Sequence, residues 1–193
     1  MPLAARLSRS WRLRSRRNHS AGIAVALLAF AAGAQAQSGS GPGTPAAPCT
    51  APEFRQFDFW VGDWDTFEVV EPSKIVARNH VTRMIGGCAL REVYQQTDGL
   101  VGESFSTYDA SRGTWHQSWV TNRGTLLLLD GGLEGDRMTL TATEKSSEGT
   151  TSLLRAVWRR EDAAVRETAE RSTDGGKTWT PVFDIVFRKH GKH

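Results

Sequence analysis

Turn signals recur along this chain at intervals too short for a crossover helix, and that spacing restricts the fold more than any other feature. They fall at Glu71-Pro72-Ser73, Gly86-Gly87, Asp98-Gly99, 109–113, Asn122-Arg123-Gly124, Asp130-Gly131-Gly132, Glu134-Gly135-Asp136, Glu148-Gly149 and Asp174-Gly175-Gly176. The segments between them are rich in β-branched and aromatic residues and often alternate in polarity, as in Ser104 to Tyr108, Met138 to Thr143 and Val182 to Phe187. Leu126 to Leu129 is a continuous apolar run, which suits a strand shielded on both faces or marks an edge prone to wrong pairing. Ala163 to Glu170 has helical propensity, but it lies between strand-like Leu153 to Trp158 and a tight turn, and it reads as strand. Parallel pairing needs a helix-sized connection each time, so about nine or ten short strands on tight turns imply an antiparallel meander. Closing that meander removes its exposed edges, and the expected fold is an all-β, antiparallel up-and-down barrel that often encloses a ligand cavity.

The chain begins differently. Arg6, Arg9, Arg12, Arg14, Arg16 and Arg17 come without an acid, an apolar run extends from Ala21 to Ala32, and Ala34-Gln35-Ala36 supplies a small-x-small exit. This is the pattern of a secretory signal peptide over 1–36. The apolar run is too short for a permanent membrane span. Asn18-His19-Ser20 after Arg16-Arg17 lacks the apolar character of twin-arginine signals, which favours the general secretory route. Removing the six leader arginines from 24 basic residues leaves 18 against 21 acidic ones, so the basic excess goes with the leader. A nucleic-acid partner, which needs a basic face on the folded domain, is not expected.

Residues 37–52, rich in Gly, Pro, Ser, Thr and Ala, read as a flexible tether. A single domain then occupies 53–190 and a short tail 191–193. Cys49 and Cys88 are the only cysteines of the chain. In an oxidising compartment, periplasmic or extracellular, they most simply pair, because no C-x-x-C exists and no His has ligand spacing to either.

The stretch Phe57-Asp58-Phe59-Trp60-Val61-Gly62-Asp63-Trp64-Asp65 contains G-x-W and resembles the calycin pattern. That resemblance implies a short helical turn plugging one barrel end, with Trp60, Gly62 and Trp64 as structural residues and Trp64 packed under a basic residue of the last strand, here Arg188. The longer box, with Ile85 to Glu92 and Trp115 to Val120, is similar to a family of bacterial exported proteins of unknown function, over about Cys49 to Arg188. It implies a calycin-like barrel and brings no catalytic residue. Ser172-Thr173-Asp174-Gly175-Gly176-Lys177-Thr178-Trp179 is similar to the Asp-box of sialidase-type propellers. A single copy cannot build a propeller, and Asp174 and Trp179 are expected to brace a hairpin turn.

Among chemical candidates His116 stands out, between Trp115 and Trp119 on one strand. Period-two geometry puts His116, Ser118 and Val120 on one face and Trp115, Gln117 and Trp119 on the other. If the indoles fill the barrel, His116 points outward. In the reverse register it could ligate haem iron, as the resemblance to nitrobindin-like barrels implies, although Asp65-Thr66-Phe67 departs from their G-x-W-x-G-x-G pattern. His80 has no evident partner, and His190 and His193, in a charged tail, are expected to be disordered. Asp58, Asp63 and Asp65 form the densest acidic group, read as helix caps and turn bonds rather than as an acid–base pair or a metal site. No G-x-S-x-G elbow or phosphate loop occurs.

The resulting expectation is an exported protein that holds a small apolar or amphipathic ligand, with no stable membrane insertion and no obligate cofactor. Trp115, His116, Trp119, Tyr108 and Tyr94 are the candidate ligand residues. The alternatives are a haem-binding sensor or enzyme centred on His116, and a structural or interaction module of the cell envelope.

Overall fold

The computed structural model describes residues 49–191, so the expected leader and most of the tether lie outside the described residues, as does His193. Two 3-10 turns, Pro52–Arg55 and Asp58–Trp60, lead into ten strands. These are β1 (Gly62–Glu68), β2 (Ile75–Met84), β3 (Ala89–Gln96), β4 (Val101–Asp109), β5 (Thr114–Thr121), β6 (Leu126–Glu134), β7 (Arg137–Lys145), β8 (Thr151–Glu161), β9 (Ala164–Ser172) and β10 (Thr180–Lys189). Every strand pairs antiparallel with its sequence neighbours, and β10 returns to β1 to close the barrel, with Trp64 opposite Lys189 and Glu68 opposite Ile185. Closure leaves no open edge in the sheet. The register shifts between Pro181 and Phe183, where Val182 is left out of the ladder as a bulge next to a residue that cannot donate to it.

Period two then sorts the side chains. Along β5, Trp115 and Gln117 are buried while His116 and Ser118 are less so, and along β7 Met138, Leu140 and Ala142 are buried. The turn-borne rings of Phe57 and Trp60, both with no exposed surface, stack on each other at 5.0 Å and fill one end of the barrel against Trp115, Trp158 and Phe187. Burying two such side chains completely stabilises the fold by roughly 3–6 kcal/mol. Two indole N–H groups tie this plug down: Trp64 Nε1 donates to the Trp60 carbonyl at 2.9 Å and Trp115 Nε1 donates to Gln56 Oε1 at 3.0 Å. A disulfide between Cys49 and Cys88 fastens the start of the plug to the segment before β3.

Several expectations need correction. The basic residue over Trp64 is Lys189, whose Nζ lies 3.7 Å from the ring centroid, whereas Arg188 is over Phe67 at 4.5 Å and donates to the Pro72 carbonyl. Arg188 pairs with Asp65, so alternation turns it away from the position that Lys189 occupies opposite Trp64. Gly62 makes this packing possible, since a Cβ there would lie 2.4 Å from Lys189 Nζ and 2.8 Å from the Trp64 ring. The acidic trio does not cap. Asp58 is held by both Nε and Nη2 of Arg83 at 2.9 and 2.6 Å, and Asp63 pairs with Arg78 at 2.9 Å. Asp65 is buried against Arg78 and His190. His190 is accordingly held in place: its N–H donates to the Asp63 carbonyl and its Nδ1 lies 2.9 Å from Asp65 Oδ2. His80 also has a neighbour, Asp63, at 3.7 Å. The Leu126 to Leu129 run is an inner strand of the wall, yet it is not shielded on both faces, for Leu126 and Leu128 are 60% and 54% exposed while Leu129 is buried.

The Asp-box braces a turn as read. Asp174 accepts from the Thr178 hydroxyl and from the N–H groups of Lys177 and Thr178, which hold its carboxyl well below the usual carboxylate range. Trp179 Nε1 donates to the Gly176 carbonyl, and Arg155 stacks on the Trp179 ring at 4.0 Å.

Candidate functional site

Counting inward positions away from the plug shows where the barrel stops being filled. On β5 they run Trp115, Gln117, Trp119; on β8, Trp158, Ala156, Leu154; on β10, Phe187, Ile185, Phe183. On β9 they run Val165, Glu167, Ala169, and on β3 Leu90, Glu92, Tyr94. The first residue of each series belongs to the buried core, and the later ones line a cavity of about 270 Å³ on the side away from the plug. Most of its wall is apolar, from Val76, Leu100, Leu127, Leu129, Leu154 and Ile185 among others. Tyr94 and Trp119 pack edge-on against each other in its wall, with ring centroids 6.0 Å apart. Gly102 gives Trp119 its place, because a Cβ there would lie 2.2 Å from the indole.

Two carboxyls sit one inward position above the plug. Glu92 and Glu167 are only 6% and 9% exposed, and both line the cavity. Glu92 Oε2 accepts a hydrogen bond of 2.8 Å from Ser104 Oγ, and Gln117 Nε2 donates to Ser106 at 3.0 Å and to Ser104 at 3.4 Å. Burial pushes the Glu92 carboxyl up to about 7, against the opposing pull of Ser104 and Asn79. Glu167 is raised well above the ordinary value, first by burial and then by the charge of Glu92, with the Trp158 N–H pulling the other way. Trp158 Nε1 nonetheless has no hydrogen bond of normal geometry, nor has either polar atom of the buried Asn79 amide. No Lys, Arg or His lines the cavity, and neither glutamate has a cation within 4.0 Å among the described residues.

Of the residues expected to touch a ligand, Tyr94 and Trp119 do line the cavity. Trp115 and Tyr108 belong to the plugged end instead, where Tyr108 packs edge-on against Phe54 at 5.4 Å and near Trp115. Both stand at the plug end of their strands, which puts them below the cavity floor. His116 is on the outer wall, its Nδ1 2.9 Å from Asp130, which also receives Arg112. The register in which the indoles fill the barrel holds, so His116 has no access to the interior. Haem ligation through a histidine therefore does not fit the cavity, whose donor set contains no imidazole. Glu92, Glu167 and Gln117 were missed as site residues. Their signal is faint but present: polar side chains at inward positions of period-two strands, where apolar ones are expected.

A second hollow lies on the outer wall over β7 to β10, beside Arg155 and Trp179. Three of its charged side chains are already paired, Arg155 with Glu170 at 2.7 Å and Asp184 with Arg166 at 2.5 Å. Among the described residues no three His, Cys, Asp or Glu side chains cluster to hold a metal ion, and no helix is long and apolar enough to cross a membrane. No protein-family model matches the chain, and no curated protein matches it.

Proposed function

We propose that this is an exported binding protein that holds a small apolar or amphipathic molecule inside its barrel. The observation that carries the reading is the cavity of about 270 Å³, walled by aliphatic side chains and by Tyr94 and Trp119. Apolar pockets with a few convergent polar groups are the usual form of small-molecule sites. The plugged end, with Trp64 under Lys189, supports a calycin-like assignment, and the disulfide is in keeping with a periplasmic or extracellular location. Calorimetric titration with 2-naphthol is expected to saturate at one molecule per chain and to weaken in Leu154→Trp, which fills the wall. Non-saturable heats, equal in both proteins, contradict the proposal.

A second reading, an interaction module of the envelope, draws support from the outer wall of β4 to β6. There Phe105, Val120, Leu126 and Leu128 are 43%, 47%, 60% and 54% exposed, and register sets them side by side through Phe105↔Ser118↔Leu128 and Val120↔Leu126. A contiguous exposed apolar patch of this kind often marks a contact surface. Replacing Leu126 and Leu128 by Lys separates the two readings: it abolishes any self-association in sedimentation and leaves naphthol binding as it was if the cavity is the functional site.

A further inference from the structure

We propose that the cavity selects ligands bearing a protonated amine, received by the Glu92 and Glu167 carboxylates beneath an aromatic wall of Tyr94 and Trp119. This deepens the binding reading above and rests on it.

Three independent observations converge. Every titratable side chain that lines the cavity is an acid: Glu92 from β3 and Glu167 from β9 at the floor, Tyr94 above Glu92, and Glu68 of β1 at the mouth. Asp98, in the turn after β3, adds a further negative charge near Tyr94. A field of one sign in a low-dielectric hollow draws in the opposite charge and rejects its own. Second, Glu167 is nine-tenths buried and faces the hollow with the Trp158 N–H as its neighbouring donor, and that buried N–H has no hydrogen bond of normal geometry. Leaving such groups without partners costs stability, about 1–3 kcal/mol each for neutral groups and more for charged ones, so their retention suits a role that a ligand completes. Third, Tyr94 and Trp119 present aromatic surface directly above the acids. Carboxylates combined with aromatic faces are the chemistry by which ammonium groups are recognised.

Binding then has a proton signature. In the empty barrel burial keeps a proton on the pair, since two carboxyls so placed repel each other when both are charged. An incoming ammonium favours the ionised forms and displaces that proton, so its affinity rises with pH through the range in which Glu92 titrates, about 7. A neutral ligand of the same shape lacks this dependence.

The test uses the disulfide-bonded mature protein and three compounds of one shape: 2-phenylethylamine, 2-phenylethanol and 3-phenylpropionate. Calorimetric titration at about pH 7.5 is expected to show the amine binding roughly ten- to a hundredfold more tightly than the alcohol, the scale of a hydrogen bond to a charged group, with the acid weakest. In Glu92→Gln/Glu167→Gln the amine-to-alcohol ratio falls to near one. Should that variant fail to fold, the pH dependence of amine affinity in the unmodified protein decides: a rise from pH 6 to pH 8 supports the proposal and a flat profile overturns it. Equal binding of amine and alcohol, or preference for the acid, overturns the amine assignment alone. Failure of all three to bind overturns the binding reading and this inference with it.

Discussion

The barrel buries carboxyls in two regions and treats them in opposite ways. Beside the plugged end, on the outer face of β1, Asp65 is 1% exposed, and burial alone pushes its carboxyl up. The His190 ring, the Gly191 N–H and the Arg78 guanidinium outweigh that effect and hold it below the usual carboxylate range. In the cavity Glu92 and Glu167 are almost as deeply buried, yet what the chain supplies is the Ser104 hydroxyl on Glu92, and no cation lines the hollow. Burying an ion without a partner is costly, and such groups neutralise by taking up a proton. A fold that pairs one buried acid so fully, and leaves two others unpaired around a hollow, separates a structural end from a receptive one.

Opposite signs of pH dependence follow. Asp65, held low, contributes stability that is present above its unfolded value and is lost as pH falls through the folded one. Glu92, raised from 4.5 to about 7, contributes stability that is fully present below about 4.5 and is lost as pH rises through about 7.

The largest effect is expected at the plug. Trp60→Ala removes a fully buried indole that touches Phe57, Trp158 and Phe187, and should lower unfolding stability in urea by about 3–5 kcal/mol. A loss below 1 kcal/mol would mean that the two ends do not differ in rigidity. Next, replacing Cys49 and Cys88 by Ser opens a loop spanning 39 residues, which under the chain-entropy model costs about 3–4 kcal/mol. Amide exchange should place that loss in the residues around the plug rather than in the cavity strands. At the receptive end, stability of the empty protein should fall by about 2–3 kcal/mol between about pH 5 and about pH 8 through Glu92 alone, and Glu92→Gln should flatten that part of the profile. A profile that stays steep in the variant transfers the effect to Glu167.

Smaller effects sharpen the contrast. Lys189→Met removes the cation from the Trp64 ring and should cost about 0.5–2 kcal/mol with a shift in near-ultraviolet dichroism. His116→Ala, on the outer wall beside Asp130, should change stability by no more than about 0.5 kcal/mol and leave ligand affinity unaltered.

The wall was legible because turn chemistry and period-two alternation are local properties. Asn122-Arg123-Gly124 and Asp174-Gly175-Gly176 fall between strands as expected, whereas Asp130-Gly131-Gly132 lies inside β6, with Gly131 paired to Leu140, and the antiparallel order follows from the short connections. Closure was legible from the number of strands. What local pattern could not supply was the pairing of distant charges. Asp65 meets His190 across 125 positions of sequence, and Arg78 reaches Asp65 across the β1–β2 ladder, so the aspartates read as caps until register placed them beside cations. Choosing Lys189 over Arg188 required the β1–β10 register, in which one step reverses the face. The cavity residues were hidden for a related reason: a lone Glu in Arg91-Glu92-Val93 or Arg166-Glu167-Thr168 looks like any solvated strand position until both neighbours are seen to face outward.

Whether the floor of the cavity holds unpaired carboxyls can be read directly from the side-chain carboxyl ¹³C shifts of Glu92 and Glu167, followed through pH in the free protein and again with saturating 2-phenylethylamine. The expected result is a midpoint for Glu92 at about 7 in the empty barrel, moving well down when the amine is bound. A midpoint near the ordinary 4.5 in the free protein, unmoved by the amine, would contradict the account.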